Sequence, residues 1–187
     1  MPIQRAKPIA ADIPVVNTSS LPTGSVLQVV TVDDNTRTRF SSRTANTWYD
    51  DYDDLDISIT PKSSNSKLIF FVDLKYGHLT GGYSVYWQIR EGTTVMPELN
   101  GGTSNSHPCF DQSRGEAFNA AVQYHLFSAI IAGGEVANTA TTTRSFNFRY
   151  RLQGGGTIAI NHEGYSGSQG SHSPSAQSRA SIIEIAG

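Results

Sequence analysis

The chain has 187 residues, a formal net charge of −2 and only 16% charged residues. That length suits one domain plus an arm, and the lack of a basic excess argues against a protein that works by gripping phosphates. A single cysteine, Cys109, excludes an intramolecular disulfide framework, and no run approaches ~18 apolar residues, so no membrane span is expected.

"MPIQRAKPIAADIPVVN" opens the chain, with Pro2, Pro8 and Pro14 each close to an Ile or Val. Proline removes a backbone donor and pushes the preceding residue out of the α region, so this segment is neither a helix nor a central strand. Ile3, Ile9, Ile13, Val15 and Val16 make it too apolar for a solvated tail. Residues 1–20 therefore read as an extended arm, able to span roughly 65 Å at about 3.3 Å per residue. No apolar h-region follows Met1, so no signal peptide is expected.

Residues 21–187 read as one β domain. "GSVLQVVTV" is β-branched and bounded by turn residues, which predicts a strand, and "RTRFSS" predicts a second short piece. In "WYDDYDDLDISIT", Leu55, Ile57 and Ile59 alternate with polar residues as in a half-buried strand that Pro61 ends. "KSSNS" is a turn, and "KLIFFVDLKYG" is the strongest strand signal, stopped at Gly77. In "GGYSVYWQIREG", Tyr83, Val85, Trp87 and Ile89 share one face. "TVMPEL" predicts a short return strand, and "NGGTSNSHP" a loop.

"AFNAAVQYHLFSAII" permits either helix or strand; Val122, Tyr124 and Leu126 alternate, and strand is the expectation. "RSFNFRYRLQ" places Phe146, Phe148, Tyr150 and Leu152 on a core face and Arg149 and Arg151 on the surface. "GGG" turns, "TIAINHEG" is the next strand, "YSGSQGSHSPSAQ" a long loop, and "RASIIEIAG" a closing strand. Seven to nine short strands and no helix predict an all-β, antiparallel β-sandwich, jelly-roll-like, behind the arm.

Chemistry is sparse. Asp50, Asp51, Asp53, Asp54 and Asp56 could attract a hard cation, yet the EF-hand pattern is absent, and an acidic turn that is solvated or faces a neighbour's arginines is the plainer reading. His78, His107, His125, His162 and His172 lack metal-ligand spacing, and Cys109 has no visible base. "GYSGS" misses the spacing of a nucleophile elbow, and "LQGGGTIAI" runs strand to strand, offering no helix N-terminus to an anion. His162 and Glu163 would point to opposite faces of a strand. Arg144, Arg149 and Arg151 interleave with aromatics as in single-strand binders, but the aromatics belong to the core face. No catalytic residue, cofactor, metal or nucleic-acid partner is expected. Loops such as "NHEGYSGSQGSHSP" would suit weak carbohydrate or receptor contact, or be plain solvated loops.

Several segments in order resemble bacteriophage virion structural proteins, the head-decoration and fibre-type β-sandwich group of cyanophages and other aquatic phages. They are "LPTGSVLQVV", "DISITPKSSNSKLIFFVDLKYG", "VYWQIREGTTV", "GGGTIAINHEG" and "SRASIIEIAG". The similarity covers most of residues 21–187, and its specificity rests on the order of short motifs. The acidic "WYDDYDDLD" and the run "FSAIIAGGEVANTATTT" depart from the pattern. The resemblance implies a non-enzymatic β-sandwich displayed on a virion as a homotrimer, and brings no catalytic residues with it.

Two roles follow as expectations. One is a capsid decoration, or cement, protein on the head surface. It would be assembled in the host bacterial cytoplasm and touch the major capsid protein, with Ile3, Ile9, Ile13, Val15 and Val16 as anchors of the assembly arm. The other is a tail-fibre or receptor-binding head domain contacting host glycan or protein. A cellular lectin-like sandwich is a more distant third.

Overall fold

A computed structural model describes residues 21–78, 84–96, 99–100, 111–114, 123–132, 142–161 and 176–187, with backbone alone for 78, 111–114 and 123–132. In chain order the strands are β1 (Val26–Asp34), β2 (Thr38–Arg43), β3 (Trp48–Ile59), β4 (Lys67–His78), β5 (Ser84–Glu91) and β6 (Thr94–Val95). After these come β7 (Asp111–Arg114), β8 (Gln123–Ala132), β9 (Arg144–Leu152), β10 (Gly156–Ile160) and β11 (Ser178–Ile185). No α-helix occurs among the described residues.

All described pairings are antiparallel and fall into two sheets. The first joins β1, β11, β4, β10 and β2, with β8 on the other edge of β4; the second joins β3, β9, β5 and β6, with β7 also on β5. The principal pairs nest from the outside inward: β1 with β11, β3 with β9, β4 with β8, β5 with β7. Successive pairs alternate between the sheets, as when one long hairpin is rolled up. That is a jelly roll, and the expected β-sandwich is the observed architecture.

Alternation builds the core. On β4, Leu68, Phe70, Val72, Leu74 and Tyr76 all turn inward and are buried. They meet Phe146, Phe148 and Tyr150 of β9 and Val85, Trp87 and Ile89 of β5 across the layer. Phe70 and Phe146 pack edge to face at 4.7 Å, and Trp87 lies 5.4 to 5.7 Å from Tyr52, Tyr76 and Tyr150. Each such ring pair adds roughly 0.5–1.5 kcal/mol beyond area burial.

Several local expectations need correction. Among the described residues there are eleven strand segments rather than seven to nine, because β7 forms just past the expected loop and short pieces pair at sheet margins. β4 runs one residue past Gly77, to His78. The acidic stretch is no turn: it lies within β3, whose pairing to β9 shifts register between Tyr49 and Tyr52 and again between Tyr52 and Ile57. Those shifts let Tyr52 and Leu55 both face the core while Asp53 and Asp54 stay exposed between them. On β5 both faces are buried from Ser84 to Ile89.

One break in pairing is filled by a side chain. β7 pairs with residues 84–87 of β5 and β6 with residues 90–91. Between them, Ile89 donates its N–H to Asn100 Oδ1 (2.9 Å), and Asn100 Nδ2 donates back to the Ile89 carbonyl (2.7 Å). The amide has the donor and acceptor of a peptide unit, so it completes the ladder.

Candidate assembly surface

Strand alternation sorts the outward face of the first sheet into two ends. At one end, Val29 lies opposite Ile183 and Ile183 opposite Ile69, with Val26 opposite Ile185 nearby. Val26 is 58% exposed, Val29 56% and Phe71 39%, the large exposed hydrophobics among the described residues. At the other end the rows are polar: Arg179 bridges to Asp33, and Lys75 to Asp73. β1 is an edge strand whose only ladder partner among the described residues is β11. An apolar row that runs out to an unpaired edge is unusual, because such edges invite pairing with another chain.

Two buried polar nodes hold this sheet. The first is Glu184, fully buried near the end of β11. Its carboxyl accepts from the Lys62 N–H at 2.8 and 3.0 Å, from the Ser63 N–H at 3.1 Å and from Gln28 Nε2 at 2.6 Å. Gln28 also donates to the Thr60 carbonyl at 2.7 Å. The edge strand β1, the β3–β4 turn and the C-terminal strand are thereby tied to one side chain.

The second node lies where the strand line of β10 and β11 is interrupted. β10 and β11 pair with the same edge of β4, β10 against residues 76–78 and β11 against residues 67–73. Between them, Asn161 N–H donates to the Lys75 carbonyl and Lys75 N–H donates to Ser178 Oγ. β10 and β11 thus form one interrupted strand line, and the chain leaves it at Asn161 and rejoins it at Ser178.

Asn161 adopts φ 58°, a left-handed conformation that Asn tolerates better than most residues. Its Nδ2 donates to Asp34 Oδ2 (2.7 Å) and to the carbonyls of Asp34 (2.9 Å) and Thr36 (3.1 Å), and its Oδ1 accepts from Ser178 Oγ (2.7 Å). Tyr52 OH donates to Asp34 Oδ2 at 2.9 Å. Burial, together with the neighbouring Asp34, pushes the Tyr52 hydroxyl well above its ordinary pKa.

The second sheet presents a different outward face. Arg151, only 6% exposed, lies over Trp48 at 5.4 Å and Tyr86 at 4.5 Å, and Arg149 over Trp48 at 4.8 Å. Arg149 Nε donates to Gln88 Oε1 at 2.5 Å. The expectation that Arg149 and Arg151 are plain surface residues is therefore corrected: they point away from the core but are stacked and largely covered, because guanidinium planes pack well on rings. Arg144 is buried on the core side, bidentate to Glu91 at 2.8 and 2.7 Å.

The aspartates of β3 are mostly engaged by the chain itself. Asp50 pairs with Arg90 at 3.0 Å, and Asp51 pairs with Arg43. The Arg43 guanidinium also lies 4.4 Å from the Tyr49 ring and 5.0 Å from that of Phe40. Burial pushes the Asp56 carboxyl up to about 6; the Phe148 backbone N–H and Arg90 pull it back, and Asp53 pushes it further. Among the described residues no three His, Cys, Asp or Glu side chains are grouped to hold a metal ion.

The assembly-arm residues Ile3, Ile9, Ile13, Val15 and Val16 lie outside the described residues, as do His107, His162, His172, Cys109 and the "GYSGS" run. His78 and His125 fall at the end of β4 and within β8. Sequence reasoning passed over Gln28, Glu184, Asp34, Asn161 and Ser178. The available signal was a polar residue at an inward position of a strand: Glu184 follows Ala180 and Ile182 at alternate positions of β11. The chain matches no protein-family model and no curated protein.

Proposed function

We propose that this chain is a bacteriophage virion structural protein, specifically a capsid decoration, or cement, protein. It forms trimers on the head and binds the major capsid protein through its N-terminal arm. The observation that carries this reading is the Glu184 node. Gln28, the Lys62–Ser63 turn and Glu184 belong to three of the separate segments in which the sequence resembles phage virion proteins, and all three meet at one buried carboxyl. The shared motifs thus coincide with a structural fastening, which is what a resemblance in framework requires. The jelly roll supports the same reading, since that architecture serves many virus-shell proteins, though fold alone is an analogy.

The test is particle imaging with copy counting. A decoration protein is present in hundreds of copies on the head. Removal of residues 1–17 is expected to leave a folded domain that no longer binds heads; head binding undiminished by the deletion overturns the role of the arm.

The alternative, a tail-fibre or receptor-binding head domain, draws on the second node. A clamp around the exit and return of residues 162–177 suits a loop presented to host glycan or protein. Location on the tail in a few copies would establish it in place of the first reading.

A further inference from the structure

We propose that the edge of β1 left without a ladder partner among the described residues is the docking site for the N-terminal arm of a neighbouring copy of this chain, which adds as an outer strand through residues 9–15. The inference rests on the reading of the arm as an assembly element and names its acceptor.

The acceptor side is on the molecule. Val26 and Val29 are more than half exposed at the margin of the first sheet, and the row Ile69, Ile183, Val29 stops at that margin. The inward side of β1 is already closed, because Val30 and Val32 pack on the core and Gln28 is bonded to Thr60 and Glu184. Among the described residues the other in-plane edge has no ladder partner, and the outward apolar face lies beside it.

The donor side is in the sequence. Pro2, Pro8 and Pro14 all have even numbers, whereas Ile3, Ile9, Ala11, Ile13 and Val15 all have odd numbers; Arg5 and Lys7 are odd too and Val16 is even, so the unbroken apolar run of one parity is residues 9–15. In an antiparallel strand a residue presents its N–H and C=O to the same neighbour, and alternate residues face opposite neighbours. Prolines of one parity therefore remove donors from one edge only. The other edge keeps every donor, and over residues 9–15 the odd side chains Ile9, Ala11, Ile13 and Val15 form one apolar face. Such a strand can pair on one side and ends a sheet on the other. Paired to β1 with its odd side chains outward, it extends the Ile69, Ile183, Val29 row.

The occupant is a second copy because the chain's own strand line points elsewhere. Gly24 N–H donates to the Ala186 carbonyl and Ala186 N–H to the Ser25 carbonyl, so Gly24 and Ser25 lie alongside the end of β11. Val26 and Val29 remain exposed in the isolated chain. An arm passed from each copy to the next is a heterologous contact, which closes when the copies form a ring such as the proposed trimer.

The experiment uses the full chain in a Cys109→Ser background. A tagged copy carrying Ile13→Cys is mixed with an untagged copy carrying Val29→Cys and oxidised. The expected result is a covalent tagged–untagged dimer, with little cross-linking of either variant alone. A cross-link formed only within one chain carrying both substitutions, or none at all, overturns the proposal.

Val29→Lys, at an exposed position, is expected to keep the melting temperature of the monomer while weakening self-association roughly tenfold or more. Unchanged self-association, or a wild-type chain that stays monomeric at all concentrations, overturns it too. Head binding without the cross-link removes this inference alone; the cross-link without head binding removes the cement reading alone.

Discussion

The Glu184 node and the Asn161 node are both buried and polar, yet they fasten different things. Glu184 gathers two backbone N–H groups and an amide around a short turn, and all its partners belong to strands or tight turns of the framework. Asn161 gathers Asp34, Thr36 and Ser178 at the break between β10 and β11. The difference teaches that framework and break are secured separately. Ala176 N–H also donates to the Asn161 carbonyl at 3.2 Å, so the chain entering β11 is fastened at the same point.

Removing Glu184 should do the most damage. Glu184→Ala leaves the donors of Lys62, Ser63 and Gln28 without their acceptor, at a cost of about 3 kcal/mol, or a drop of about 10 °C in melting temperature. Calorimetry of the full chain checks it; a change under about 1 kcal/mol would show that water replaces the carboxyl and that the node is no fastening.

Asn161→Gly comes next, because it keeps the left-handed backbone while deleting the amide. About 2 kcal/mol should be lost. Limited proteolysis between residues 161 and 178 should accelerate well before the strands become susceptible. Cleavage that accelerates equally everywhere would erase the distinction between the nodes. Asn161→Ala should cost about 1 kcal/mol more, from the strain of a side chain at positive φ.

The smallest expected effect concerns the β3 aspartates, which belong to neither node. Asp56 titrates near 6 in the folded chain, above the 3.8 of an ordinary aspartate, chiefly through burial. A raised carboxyl favours the protonated native state. It therefore costs stability above about pH 6, and the cost fades as pH falls through 6 toward the unfolded value. Asp56→Asn should stabilise the chain at pH 7 by less than about 1 kcal/mol, because solvent reaches this side chain, with no gain below about pH 4. A gain that persists at pH 4 would mean that the charge is not the cause.

Much of the sandwich was legible because strand burial is a local pattern. Leu55, Ile57 and Ile59 alternate in the sequence and alternate in burial, and the same holds for Phe146, Phe148 and Tyr150. Parity also placed Arg149 and Arg151 away from the core, but it could not show that Trp48, from another strand, covers them. β7 is four residues long and lacks apolar alternation, so pairing to β5 rather than its own pattern defines it. The nodes escaped for a related reason. Gln28 and Glu184 are 156 residues apart, and a hydrogen bond over that separation leaves no periodicity to read.

By itself, the sequence determined the all-β class and the inward and outward faces of most strands. These follow from side-chain alternation and backbone sterics, which act between near neighbours. Only the tertiary structure decided which strands pair, that β10 and β11 are one interrupted line, and that Val29 ends an apolar row at an edge with no ladder partner among the described residues. Those depend on contacts between distant segments, and such contacts exist only once the chain has rolled into two layers.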